Sequence, residues 1–241
     1  MWAGNRTVAG DHLQVEGLSA FFAPMACAVK VGDPEPLHGL SKAVLGGKAI
    51  RILQHFPQHR GQGPKQPWDS QIRETNLFTC ESTAYRRLTH AGVCARGITP
   101  QFYGTIENID PTQRLPHLEL FVKDEYPPTA IFLEYIPNMK ELRWTDYNES
   151  RMRNFVDGLN AIHDALVYHD DVHPRNMMIV EEDPERAIWI DFDRAQTFDG
   201  EVKERQKGWI AGEKELMAEM ADFMKDDFVN GTFNKTCQYY R

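Results

Sequence analysis

The chain has little of what marks disulfide-stapled, membrane-spanning or nucleic-acid-binding proteins. Its four cysteines, Cys27, Cys80, Cys94 and Cys237, are scattered over 241 residues. They show neither paired metal-ligand spacing nor a disulfide framework, and read as ordinary thiols in a reducing compartment. No apolar run approaches the roughly 20 residues that a spanning helix needs. The most apolar early stretch, AFFAPMACAV, is short and broken by Pro24. No basic segment followed by an apolar one opens the chain, so no secretory signal is expected. Positive charge is also scarce, with 27 Lys and Arg against 35 Asp and Glu and a net charge of −8. A general nucleic-acid binder would show a basic footprint instead. No internal repeat is visible. The expectation is a cytoplasmic protein with neither membrane nor nucleic acid among its partners.

The most informative stretch runs from Val167 to Asp193. Asp171 stands two residues after His169, Asn176 five beyond Asp171, and Asp191 closes the apolar run AIWI. MMIV and AIWI are strand-like, and the polar EEDPER between them contains Pro184, so a hairpin is expected. It would carry Asn176 at one base and Asp191 at the other. An amide oxygen and a carboxylate brought together suit a hard Mg²⁺ ion whose other ligands are phosphate oxygens and water.

The pattern H-x-D-x-x-x-x-N followed by D-F-x resembles the catalytic loop and metal-binding pair of the protein-kinase-like superfamily. That resemblance implies ATP and Mg²⁺ as cofactors, Asp171 as the base or orienting residue for an acceptor hydroxyl, and Asn176 and Asp191 as metal ligands. His173 stands where many protein kinases have Lys. DVHPRN is more similar to the small-molecule kinases related to aminoglycoside and choline phosphotransferases, which places His173 in the catalytic set with Asp171 and Asn176. IDFD resembles the same branch, because Asp193 replaces the glycine of D-F-G. Compact atypical kinases and uncharacterised fungal kinase-like proteins are similar in their short ending.

Elsewhere the resemblance is weaker. Residues 12–22 and 26–31 read as strands, yet no G-x-G-x-x-G lies between them. SKAVL and KAIRILQHF flank Gly46-Gly47, a hairpin signal. Lys48 is the first choice for the lysine that contacts ATP phosphates, with Lys30 and Lys42 as competitors; an alternative alignment puts Gln54 near that position. Pro57 to Asp69 reads as a surface loop. FTCESTAYRRL reads as a helix with Phe78, Tyr85 and Leu88 inward, and Glu81 falls on that stripe. In kinases the glutamate of this helix pairs with the strand lysine. QFYGTI and LPHLELFV read as strand material. AIFLEY resembles a kinase hinge strand, where backbone groups after Glu134 would meet the adenine edge.

From Ser150 a helix is expected with Met152, Phe155, Val156, Leu159, Ile162 and Leu166 inward and His163 structural. His169 is expected to bond backbone near Asp191. GWIAGEKELMAEMADFMKDDF reads as a last amphipathic helix, with Leu216, Met220, Phe223, Met224 and Phe228 inward, followed by a frayed polar tail. No A-P-E segment follows D-F-x.

The reading is one α+β domain over residues 1–241, two-lobed and protein-kinase-like. An antiparallel N-lobe sheet would span about 12–136, a reduced helical C-lobe about 137–230, and the tail 231–241. The expected activity is ATP- and Mg²⁺-dependent transfer of the γ-phosphoryl group to a hydroxyl-bearing acceptor, a small molecule rather than a protein. An atypical compact protein Ser/Thr kinase and a catalytically silent kinase-like module are the alternatives.

Overall fold

The computed structural model describes residues 40–45, 48–53, 73–116, 118–124 and 126–240. The strands expected over 12–22 and 26–31, the 57–69 loop, Lys30 and Gln54 lie outside these residues.

Strands β1 (Leu40–Leu45) and β2 (Lys48–Leu53) form an antiparallel hairpin whose pairing closes at Leu45↔Lys48, as the Gly46-Gly47 signal predicts. Helix α1 (Leu77–His90) begins where the Asn76 side chain accepts from Thr79 N at 3.0 Å, satisfying one of the helix's orphan donors. Its buried stripe holds Phe78, Glu81, Tyr85 and Leu88, the residues that the three- and four-residue steps select. Strands β3 (Phe102–Ile106) and β4 (Thr129–Glu134) complete an antiparallel sheet of order β1-β2-β4-β3. The Tyr85 ring packs on Phe102, with centroids 5.9 Å apart.

LPHLELFV does not form a strand. The chain makes 3₁₀ turns at Pro111–Arg114 and Glu119–Phe121 instead. Asp110 caps the first turn through Thr112 N at 2.9 Å. Leu118 and Phe121 reach the core at the three-residue spacing of such turns, not at strand alternation.

Beyond β4, residues 135–138 lead to β5 (Met139–Glu141). Helix α2 (Glu149–Asp164) is capped by Asn148 through Arg151 N at 3.1 Å and buries Met152, Phe155, Leu159 and Ile162. Strand β6 (Val167–Tyr168) follows, then β7 (Met177–Val180) and β8 (Asp183–Trp189), which form the expected hairpin. β5 pairs with β7 to give a sheet of order β5-β7-β8, and α2 packs on β8. Trp189 is fully buried between them, its indole N–H donating to Phe155 O at 3.1 Å. Strand β9 (Gln196–Thr197) pairs with β6, and the long helix α3 (Glu204–Asn230) crosses α2. The whole is a mixed α/β molecule with small antiparallel sheets. Among the described residues no helix is long and apolar enough to cross a membrane.

Two expectations about the C-terminal region fail. The buried face of α3 is Glu213, Met217, Met220, Met224 and Asp227, while Leu216 and Phe228 are exposed by 36% and 47%. The tail is not frayed. Thr232 to Thr236 wraps the buried Asp227 carboxylate, and Tyr240 donates its hydroxyl to Leu142 O at 2.9 Å.

Candidate active site

The loop between β6 and β7 is held from beneath by side chains distant in sequence. His169 is buried, and its Nε2 lies 3.0 Å from Ile190 O, the backbone contact expected beside Asp191. Its ring also packs against Phe192, 4.7 Å between centroids. Glu213 of α3 is buried under the loop. It accepts from Asp170 N at 2.8 Å and His169 N at 3.3 Å, and its Oε2 lies 2.6 Å from His163 Nε2. The structural role expected for His163 is therefore clear. Glu213 was missed, although its signal was present: a glutamate four residues before Met217 and seven before Met220 lies on one helical stripe.

Asn176 is 1% exposed. Its Nδ2 donates to Asp171 O and to Asp171 Oδ2, both at 2.9 Å. With the nitrogen so used, the amide oxygen is the end left to face a ligand. Its backbone oxygen accepts from Ile190 N at 3.1 Å. The hairpin thus brings Asn176 to the residue preceding Asp191, as its pairing predicts. Asp191 has φ of 68°, and Asp170 has φ of 63°. Left-handed backbone at non-glycine residues is uncommon and collects at functional sites, because the surrounding structure must hold it there.

Asp171 is more engaged than the sequence suggested. A single Arg175 Nη2 donates to both of its carboxylate oxygens, at 2.8 and 2.7 Å, and Arg194 Nη1 stands 4.0 Å away. Burial alone would push the carboxyl up. The Arg175 hydrogen bonds and charge, with Asn176 and Arg194, outweigh it and hold the group below its ordinary value. His173 caps the short turn Pro174–Asn176 by accepting from Arg175 N at its Nδ1, 3.1 Å. Burial and then the Arg175 charge push its pKa down, so at neutral pH it is an uncharged imidazole. With Nδ1 accepting, the neutral ring carries its proton on Nε2.

The remaining expected residues lie on the first sheet and α1. Lys48 opens β2, in register with Glu134 at the end of β4. Glu81 is 1% exposed on α1, as its place on the apolar stripe predicts. The Glu134 carboxylate accepts from Gln101 N at 3.1 Å and meets Arg186 Nη2 of β8 at 3.4 Å. It ties β4 to its neighbours, leaving residues 135–138 to run on from the sheet. Lys42 lies on β1.

Two clefts open beside the loop that carries Asp171, one of them lined by Asp171 itself. One, of about 460 Å³, opens between the His173–Arg175 turn, the segment after β5 and the tail. The other, of about 450 Å³, lies between Asp170–Val172 and the Gly208, Trp209 and Gly212 face of α3. Among the described residues no group of three or more His, Cys, Asp or Glu side chains gathers to hold a metal. The donors beside the hairpin are the Asn176 amide oxygen and the Asp191 carboxylate. Two hard oxygens fit a cation that completes its shell with phosphate and water. No family model matches the chain, and no curated protein matches it.

Proposed function

We propose that the chain is an ATP- and Mg²⁺-dependent phosphotransferase of two-lobed, protein-kinase-like architecture that acts on the hydroxyl of a small molecule. The observation that carries this reading is the bonded group at the hairpin base. Asn176 holds Asp171 through its amide nitrogen at 2.9 Å while its backbone oxygen is tied to Ile190, the neighbour of Asp191, at 3.1 Å. The Asp171 carboxylate is thereby held against Asn176, and the Asn176 backbone is tied to the residue before Asp191.

Asn176 and Asp191 would hold Mg²⁺, which when bound neutralises charge developing on the phosphates. Lys48 and Glu81 are assigned to the phosphate-binding cation and its organiser, and the backbone after Glu134 to the adenine edge. In the reaction the acceptor oxygen bonds to the γ-phosphorus as the bond from phosphorus to the β,γ-bridging oxygen breaks. ADP leaves with that electron pair. The lowered basicity of Asp171 suits it first to orient the hydroxyl, and then to take its proton once bond formation has made the oxygen acidic. The His173 Nε2–H is a neutral donor to the group in transfer. All of these roles use geometry and charge placement, which dominate phosphoryl transfer.

A small acceptor is favoured because only residues 198–203 separate β9 from α3. That length leaves little room for the peptide platform that follows D-F-G in protein kinases. A catalytically silent kinase-like module is the second reading, favoured by the hold of Arg175 on both oxygens of Asp171.

The test is a labelled-ATP assay on a cell extract split by size, with Asp171→Ala as the blank. Asp171-dependent label in the small-molecule fraction is expected, with the variant slower by roughly 10²–10⁴. Label in protein alone would overturn the small-acceptor assignment. Intact Mg²⁺-ATP binding without any transfer would favour the silent module.

A further inference from the structure

Of these two clefts, the one against α3 is lined by Asp171 itself and has its charged groups already satisfied within the chain. Asp170 is paired with Arg73, Glu213 is bonded to the loop backbone, and Arg73 and Arg205 lie over the Trp209 ring at 5.5 and 5.3 Å. The cleft beside His173 and Arg175 is different. We propose that it is the acceptor subsite, and that it selects a small hydroxy compound carrying a carboxylate or phosphate. This rests on the phosphotransferase reading and names its substrate class.

Three observations support the assignment. The first is charge. In a chain of net charge −8, this cleft presents two guanidiniums, Arg143 and Arg175, and the neutral His173 ring. Arg143 makes no ion pair among the described residues. Of the lining residues Glu141 is acidic, and the Arg175 charge is shared with Asp171, so Arg143 and the unused N–H groups of Arg175 are the cationic donors of this wall. Guanidinium groups and an imidazole N–H are donors without competing acceptors, the set that carboxylate and phosphate require.

The second is position. Arg175 lines the cleft, is 47% exposed, and bonds Asp171 through Nη2 alone. Its other N–H groups remain for a second anion. A ligand anion held by Arg175 therefore lies one guanidinium away from Asp171. Drawing Arg175 toward the ligand also weakens its hold on both Asp171 oxygens, so the acceptor itself readies the orienting group.

The third is the floor. Trp144 stacks on Phe233 with centroids 6.1 Å apart, and Phe233 meets Tyr240 at 5.7 Å. The Tyr240 hydroxyl is bonded to Leu142 O at 2.9 Å, so this residue presents its ring and not its oxygen. An aromatic floor beneath cationic donors suits a flat or apolar body with an anionic end.

The experiment follows the Trp144 indole resonance of the full-length protein by NMR without ATP, assigned with Trp144→Phe. The probes share one ring and one hydroxymethyl group: 3-(hydroxymethyl)benzoate, 1,3-benzenedimethanol and 3-(aminomethyl)benzyl alcohol. Saturable binding of the carboxylate is expected, with the neutral and cationic probes at least about tenfold weaker. Arg143→Gln and Arg175→Gln should each weaken the carboxylate about tenfold, and Arg143→Lys should restore part of the loss. Their amide spectra report whether the fold is kept. Equal binding of the three probes, preference for the amine, no binding at all, or unchanged affinity in both glutamine variants would overturn the subsite. Because no nucleotide is present, loss of this site with ATP turnover intact removes the inference alone. Anion binding without any turnover removes the phosphotransferase reading instead.

Discussion

Glu213 Oε2 lies 2.6 Å from His163 Nε2 in a fully buried pair that joins α3 to α2. The same carboxylate holds the backbone N–H groups of His169 and Asp170. A carboxylate taken out of water is tolerable only because each lone pair finds a donor. The last helix therefore sets the height and angle of the loop that carries Asp171.

Glu213→Ala leaves a buried imidazole and two backbone donors without that partner, a loss on the order of 3 kcal/mol. Turnover should fall by about 10²-fold, more than nucleotide affinity, because a misplaced loop disturbs alignment before binding. Glu213→Gln keeps shape and an acceptor oxygen and should recover part of both losses. Thermal unfolding together with ADP release checks this. Wild-type melting and turnover in the alanine variant would remove Glu213 from the support of the loop.

Arg175 holds the Asp171 carboxyl below its ordinary value against the opposing pull of burial. Asp171 in the wild type should thus stay ionised throughout the range where an ordinary carboxylate is ionised, giving no acid limb from this group over about pH 5–8. In Arg175→Ala burial is opposed only by the Asn176 bond and the more distant Arg194, and the pKa rises. The acid limb of turnover should then move upward into the accessible range. A pH–rate profile of both proteins measures the shift; identical limbs would separate the Arg175 contact from the state of Asp171.

Asp227 closes the far end of α3. Burial would raise its pKa, but bonds from the Thr236 backbone and hydroxyl, with the Lys235 and Asn234 N–H groups, hold it far below the carboxylate range. The folded pKa is depressed, so its stabilisation is present above the unfolded value of about 3.9 and disappears as pH falls through the folded value. Asp227→Asn should cost about 1–3 kcal/mol at neutral pH and loosen the tail. Urea unfolding at pH 7 and near pH 3 should show a wide gap between variant and wild type that narrows in acid. An equal gap at both would contradict the linkage.

The hairpin, α1 and α2 were legible because their apolar residues follow one period without competition. Met177 to Val180 and Ala187 to Trp189 alternate or run apolar between turn residues, and the chain pairs them as read. Helix α3 was misread for a physical reason. Both faces carry large apolar residues, and the choice between them was made by hydrogen bonding. Glu213 and Asp227 face inward because buried loop donors need them, and the methionines on their stripe follow, leaving Leu216 and Phe228 to solvent. The segment around Leu118 misled because L-x-L-x-x spacing serves a strand or a tight turn equally well, and local backbone bonds from Leu118 N to Arg114 O and Phe121 N to Leu118 O make it a turn. Around the candidate site, Asp171, His173 and Asn176 lie in one short loop, and the expected hairpin pairing brings Asn176 to the residue before Asp191. Arg175 was visible only as a neighbour, since nothing in sequence says which way its guanidinium folds.

The central claim is that Asn176 and Asp191 form one metal–nucleotide site. Calorimetric titration of ATP into the full-length protein, with and without Mg²⁺, tests it most directly when repeated on Asp191→Asn and Asn176→Ala. Removing a carboxylate or amide oxygen ligand from a hard cation should abolish the Mg²⁺-dependent part of binding while far-UV circular dichroism stays unchanged. The account predicts Mg²⁺-dependent ATP binding in the wild type and its loss in both variants. Binding of the same strength and metal dependence in all three proteins would contradict it.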